Sequence, residues 1–154
     1  MYKRIVVPLD GSELAEGVLP AVRSITERYP ETEVVLMRVI AYPHYEALEA
    51  DANATERMLQ TLKEHSSAYL QRIAEGLATQ GVRTRTEVRL ARGPVADAIV
   101  DFVDDVEAEL VAMCTHGRSG PARWLLGSVA ERVVRGARCP VLLYRPIRHG
   151  RLKA

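Results

Sequence analysis

The run Val34-Val-Leu-Met-Arg-Val-Ile40 constrains the fold more than any other stretch. It is apolar at every position but Arg38, so a strand built from it has no polar face to give to water. Such a strand belongs in a parallel sheet with helices on both faces. Two further runs share this character. Arg4-Ile-Val-Val-Pro8 ends on a proline, which is tolerated at the end of a strand, and Leu110-Val-Ala-Met113 lies towards the C-terminus. Between the runs the spacing is helical. Leu14, Val18, Val22 and Ile25 follow Gly11-Ser12, where Gly17 and Pro20 predict a kink or a late start. Leu59, Leu62, Tyr69, Leu70, Ile73 and Leu77 stripe a helix from about Ala52 to Gln80, stopped by Gly81. Val95, Ile99, Phe102, Val103 and Val106 follow Gly93-Pro94, with Asp101, Asp104, Asp105 and Glu107 as the solvated face. Val82 to Leu90 alternates between Arg/Glu and apolar or threonine positions, which predicts a strand with one wet face at a sheet edge. Residues 41–49, with Pro43, Tyr42, His44 and Tyr45, read as a loop. The order is strand, helix, strand throughout, which predicts one α/β domain with an open parallel sheet and right-handed crossovers. Its expected extent is 1–147, with a frayed basic tail over 148–154.

Composition bears mainly on what the chain does not do. A formal net charge of +1 on 154 residues gives no field to attract nucleic acid or an anionic membrane. No apolar run approaches the ~20 residues of a membrane span, and the charged MYKR start lacks the apolar core of a signal peptide. Cys114 and Cys139 form no C-x-x-C pair and read as reduced structural thiols. A cytoplasmic location is expected.

The stretch from Glu109 to Arg145 carries the chemistry. The strand at Leu110 to Met113 runs into the turn-prone Thr115-His116-Gly117, and Gly127-Ser128 opens a helix. Ser128 and Glu131 fit a capping box, and a glycine before such a start leaves first-turn amides accessible to an anion. Gly117 and Gly120 allow close backbone approach to a ligand, so the stretch reads as a phosphate-cradling loop. In open parallel sheets, ligands lie outside the carboxyl ends of the strands, where the strand order reverses. An order 3-2-1-4-5 would bring Asp10, at the end of the first strand, beside Cys114 to Gly117. Asp10 then has two readings: an acceptor for ribose hydroxyls or an exocyclic amine, or a partner for the Gly11-Ser12 helix start.

These residues together resemble the universal stress protein family from Lys3 to Arg145. The matching stretches are I-V-V-P-L-D-G-S, R-G-P-V-A-D-A-I at Arg92 to Ile99, T-H-G-R-S-G, L-L-G-S-V-A-E-R-V and C-P-V-L-L. Members that bind ATP carry G-x2-G-x9-G-[S/T]. Gly117 and Gly127-Ser128, with nine residues between the two glycines, satisfy its second part, whereas Cys114 stands at the first glycine. The resemblance implies the 3-2-1-4-5 sheet, a homodimer paired through Pro140 to Tyr144, and ATP at the switch point, with Mg²⁺ as its usual companion. Carried over by position, Pro8, Leu9 and Asp10 line the adenine and ribose side, and Val39 meets adenine through its backbone. Met113 and Cys114 lie along the nucleoside, while Gly117, Arg118, Gly127, Ser128 and Val129 surround the phosphates. Cys114 is expected to crowd the ribose and weaken binding at most.

Other chemistries fit less well. No Gly-Lys-Ser/Thr follows these glycines, which speaks against a P-loop motor or kinase. Gly117-Arg118-Ser119-Gly120 is one residue short of a nucleophile elbow, and no acid and histidine follow in order. His116 reads as a backbone-capping imidazole, Trp124 as loop packing, and His44 and His65 have no partner at metal-ligand spacing. No general base is evident beside the phosphates, so no catalytic residue is assigned and hydrolysis is expected to be slow or absent. The leading reading is a stress-response or signalling module that retains ATP and acts on a further protein partner. The alternative is a nucleotide-free dimeric interaction protein of the same fold.

Overall fold

The computed structural model describes residues 2–42, 52–115 and 127–145. The elements follow the order β1 (Arg4–Pro8), α1 (Glu13–Glu16), α2 (Leu19–Arg28), β2 (Glu33–Ala41), α3 (Ala52–Ala78), β3 (Arg83–Ala91), α4 (Val95–Asp105), β4 (Leu110–Cys114), α5 (Ser128–Gly136) and β5 (Val141–Tyr144). All strand pairs are parallel, in the order β3-β2-β1-β4-β5, as expected.

The side-chain alternation of each central strand feeds two separate cores. Ile5 and Val7 of β1, Val34 and Leu36 of β2, and Leu110, Ala112 and Cys114 of β4 face α1, α2 and α3, where they meet Val18, Val22, Leu70, Ile73 and Leu77. Val6, Val35, Met37, Val111 and Met113 face the other way, against Ile99, Phe102 and Val103 of α4 and Ala130 and Val133 of α5. This is why the inner strands carry no polar alternation: both faces are dry. β3 is an edge strand, and its charged face is used by pairs such as Arg83–Glu31 at 3.1 Å and Arg89–Glu87 at 2.8 Å.

Three local expectations are refined. The first helix divides at Gly17, with Pro20 in the first turn of α2, where its missing N–H costs nothing. In α3 the stripe shifts: Leu62 is 38% exposed, whereas Ser66 is buried. The helix ends at Ala78, two residues before the expected Gln80, and Gly81 takes the left-handed φ of +80° in the turn that follows. The acidic residues Asp101, Asp104, Asp105 and Glu107 all face solvent, as expected of the outer face of α4. The predicted 41–49 loop, apart from Ala41 and Tyr42, and the basic tail lie outside the described residues. No helix among the described residues is long and apolar enough to cross a membrane.

Candidate functional site: a cleft at the switch point

β1 pairs with β2 over the whole length of β1, from Arg4↔Glu33 to Pro8↔Met37. β1 and β4 pair only at Ile5↔Leu110 and Val6↔Val111, and then diverge. Their connections leave in opposite directions, β1 to α1 on one face and β4 towards α5 on the other. A cleft opens between them at the carboxyl end of the sheet, with a cavity of about 210 Å³. Pro8, Leu9, Asp10, Val39, Met113, Cys114, Gly127, Ser128 and Val129 line it. These site residues come from four separate stretches of chain, and the topology brings them to one place. Gly117 and Arg118, with His116, Ser119, Gly120 and Trp124, lie outside the described residues.

The cleft is chemically polarised. Pro8, Met37, Val39, Val95 and Met113 form an apolar slot, and the polar side chains along it are Asp10, Cys114, Thr115 and Ser128. Met37, Val95, Thr115 and Ala15 are lining residues that the motif did not supply. Met37 was legible as the residue two before Val39 on the same strand face, and Thr115 as the first residue beyond β4. Val95 was read only as a core position of its helix.

At the β1 side, Leu9 extends the sheet by donating its N–H to the Met37 carbonyl at 2.8 Å. Asp10 then folds the chain back. Its Oδ1 accepts from the Ser12 amide at 3.0 Å and from the Ser12 hydroxyl at 2.6 Å, while Ser12 Oγ accepts from the Ala15 amide at 3.2 Å and caps α1. Asp10 is therefore a turn-former and a cleft-lining carboxylate at once. Gly11 takes φ +87° in this turn, a conformation that needs glycine.

At the β4 side, the Thr115 amide donates to the Tyr144 carbonyl of β5 at 3.0 Å. The Gly127 amide donates to the Thr115 carbonyl at 2.8 Å, so the chain returns to the point from which it left. The expected capping box does not form. Gly127 is the N-cap, its carbonyl accepting from the Glu131 amide at 2.8 Å, and Ser128 is already the first helical residue. The Glu131 carboxylate turns outward to Arg135 at 2.8 Å, the favoured (i, i+4) arrangement on a helix surface. A glycine N-cap has no side chain to give, so the first-turn amides of α5 receive no side-chain cap. Those amides and the helix dipole together present partial positive charge to the cleft. Gly127 has φ −59° and ψ 147°, which any residue adopts, so its conformation does not require glycine.

Cys114 lines the cleft and is also tied to α1. The alternation of β4 puts its side chain on the α1 face, where the thiol donates to the Leu14 carbonyl at 2.8 Å. Burial, reinforced by the nearby Asp10 carboxylate, pushes the thiol up to about 11, so it stays neutral at physiological pH. Cys139 is also a free thiol, and its ionisation is raised chiefly by burial.

Comparison with known proteins agrees with this architecture. The profile of the universal stress protein family matches residues 1–145. Universal stress protein MJ0531 of Methanocaldococcus jannaschii is 34% identical over 145 residues, covering 94% of this chain and 83% of the relative. The solved structure of hypothetical protein MJ0577 aligns with a TM-score of 0.82 at 26% identity, covering 96% of this chain and 99% of that one. Two more distant structures share the fold and hold nucleotides. A family protein of Arabidopsis thaliana with AMP bound has a TM-score of 0.68 at 16% identity, covering 95% of this chain and 93% of its own. A universal stress protein in complex with cAMP has a TM-score of 0.61 at 22% identity, covering 94% and 97%. With its switch-point cleft, its strand order and a match along nearly its whole length, this chain belongs to the universal stress protein family.

Proposed function

We propose that this protein is a nucleotide-binding module that takes ATP in the switch-point cleft and retains it with little or no turnover. The observation that carries the reading is the polarity of the cleft: an apolar slot at the strand ends and a helix start without a side-chain cap at Gly127. Adenine fits the slot between Pro8, Val39 and Met113, with backbone groups at the end of β2 in reach of its edge. Asp10 lies where ribose hydroxyls would donate. The Ser128 and Val129 amides and the Ser128 hydroxyl would receive phosphate oxygens, as helix starts do, and Gly117, Arg118 and the Gly127 backbone would complete that cradle. Relatives of the same fold that hold AMP and cAMP support an adenine nucleotide as the ligand class. Low turnover follows from the lining. Asp10 is the one carboxylate among the described residues of the cleft, it is engaged by Ser12, and it belongs to the nucleoside end. Attack on a γ-phosphate needs a water-positioning group at the other end.

We also propose that two copies pair through β5. The strand lies at the sheet edge, bonded to β4 alone, and Leu143 on it is 36% exposed. An apolar edge of this kind is a liability unless covered. The test is to denature freshly purified protein, identify the released nucleotide by mass and count it per chain, with sedimentation of the native protein alongside. Near-stoichiometric ATP on a dimer is expected. An empty protein that also gives no heat with Mg-ATP refutes the nucleotide reading and favours a nucleotide-free interaction protein.

A further inference from the structure

Arg38 is the single polar interruption in the β2 run, and the cleft lining does not include it. It continues the Val34–Leu36 face of the strand, so its side chain leaves towards α3, not into the nucleotide slot. There it is half-buried and lies over the Tyr69 ring, 5.2 Å from the guanidinium carbon to the ring centroid. Its other neighbour is Gly11. A β-carbon added at Gly11 would lie 3.0 Å from one terminal nitrogen, 3.1 Å from the other and 3.2 Å from the guanidinium carbon. These distances place the fork of the two terminal nitrogens, with the guanidinium carbon just behind it, directly against the Gly11 turn. No ion pair of Arg38 is found among the described residues, in contrast with Arg72, which also flanks Tyr69 but pairs with Glu16 at 3.4 Å.

Gly11 is the residue between Asp10 and Ser12, and glycine is the residue most free to leave a given conformation. The two hydrogen bonds from Ser12 to Asp10 Oδ1 fix the carboxylate only while Gly11 keeps its φ of +87°. A planar cation braced by an aromatic ring restricts that freedom from outside the turn. A lysine cannot do the same, because its ammonium is a compact point charge without a fork.

We propose that Arg38 is a positioning residue for nucleotide recognition: resting on Tyr69, it holds the Asp10-Gly11-Ser12 turn so that Asp10 meets the ligand's sugar hydroxyls ready-oriented. The inference rests on the nucleotide reading above. Its readout is discrimination, since a merely structural role for Arg38 would lower stability without changing which nucleotide is preferred. Calorimetric titrations of the nucleotide-stripped full chain with ATP and with 2′,3′-dideoxy-ATP give the ratio of their dissociation constants. For the wild type that ratio is expected to be about tenfold or more, the worth of hydrogen bonds to a charged acceptor. Asp10→Ala should bring it towards one. Arg38→Met and Arg38→Lys should do the same while affinity for the shared phosphates persists. Both keep the aliphatic stem, and both are checked for native far-UV dichroism, so either one suffices if the other folds poorly. Arg38 variants that keep the wild-type ratio overturn the assignment of Arg38 while leaving the nucleotide site standing. A wild type that binds neither nucleotide overturns the nucleotide reading and this inference with it.

Discussion

Replacing Gly11 with alanine tests the β1 end of the site through two separable effects. The first is conformational. At φ +87° a β-carbon is strained by roughly 1–2 kcal/mol, whatever surrounds it. The second is contact. The new methyl would lie 3.0–3.2 Å from the Arg38 guanidinium, closer than ordinary packing allows. Because that group is the end of a flexible side chain, it would swing away instead of straining the backbone. The loss is then its contact with Tyr69, about 0.5–1 kcal/mol for a partly exposed cation–π pair. Together the substitution should cost about 1.5–3 kcal/mol. Urea unfolding should show the midpoint falling by about 1 M at unchanged slope. In an Arg38→Met background the contact part disappears, and Gly11→Ala should cost only the conformational 1–2 kcal/mol. Equal costs in the two backgrounds would show that the guanidinium does not rest on Gly11. A total below about 0.5 kcal/mol would refute the strained turn itself.

Three further substitutions test other parts of the structure. The buried Tyr69 hydroxyl makes no well-formed hydrogen bond among the described residues, although the Glu16 carboxylate lies close to it, and burial and then the Glu16 charge push its ionisation well above the usual phenol range. Tyr69→Phe keeps the ring under Arg38 and Arg72, so thermal melting should show stability unchanged or raised by about 1 kcal/mol; a clear loss would mean the hydroxyl is partnered. The Cys114 thiol, raised from 9.0 to about 11, holds more protons folded than unfolded, so its contribution is complete below about pH 9 and is lost as pH rises towards 11. Cys114→Ala should flatten the fall of stability across that window, by up to about 3 kcal/mol, and the native wild-type thiol should resist alkylation at pH 8. Glu131→Ala should cost only the few tenths of a kcal/mol of a surface (i, i+4) pair, measured by chemical unfolding; about 1 kcal/mol or more would restore the capping box.

Much of the fold was legible because burial on two faces leaves so plain a mark. The near-continuous apolar runs at β1, β2 and β4 admit few homes other than inner parallel strands, and the alternation of β3 announced an edge. The site was legible where motif residues sit at strand ends and helix starts, which fixes their position once the strand order is known. What escaped depended on side-chain direction. Ser128 and Glu131 have capping-box spacing, but the helix starts one residue earlier, at a glycine cap, and the spacing alone cannot reveal that. The position of Cys114 at the cleft was legible, but its bond to the Leu14 carbonyl was not, because that depends on which way strand alternation turns the thiol. Leu62 and Ser66 exchanged their expected environments on α3 because a polar residue within an apolar stripe can still be covered. Arg38 stood out in the run from the start, but its use depends on a contact with Gly11, far away in sequence.

The single hydrogen bond from the Gly127 amide to the Thr115 carbonyl has a consequence for how this family can diversify. It closes the chain at the base of residues 116–126, with Thr115 already anchored to β5 through Tyr144. Whatever lies between the two ends is attached to the sheet as a cassette. Lengthening it adds only a slowly growing closure cost, about 0.6 kcal/mol for each doubling, and need not shift β4 or α5. On the proposal that the cleft takes a nucleotide, exchanging this one segment would change what is offered to the ligand's far end, while the strand-end slot keeps its shape.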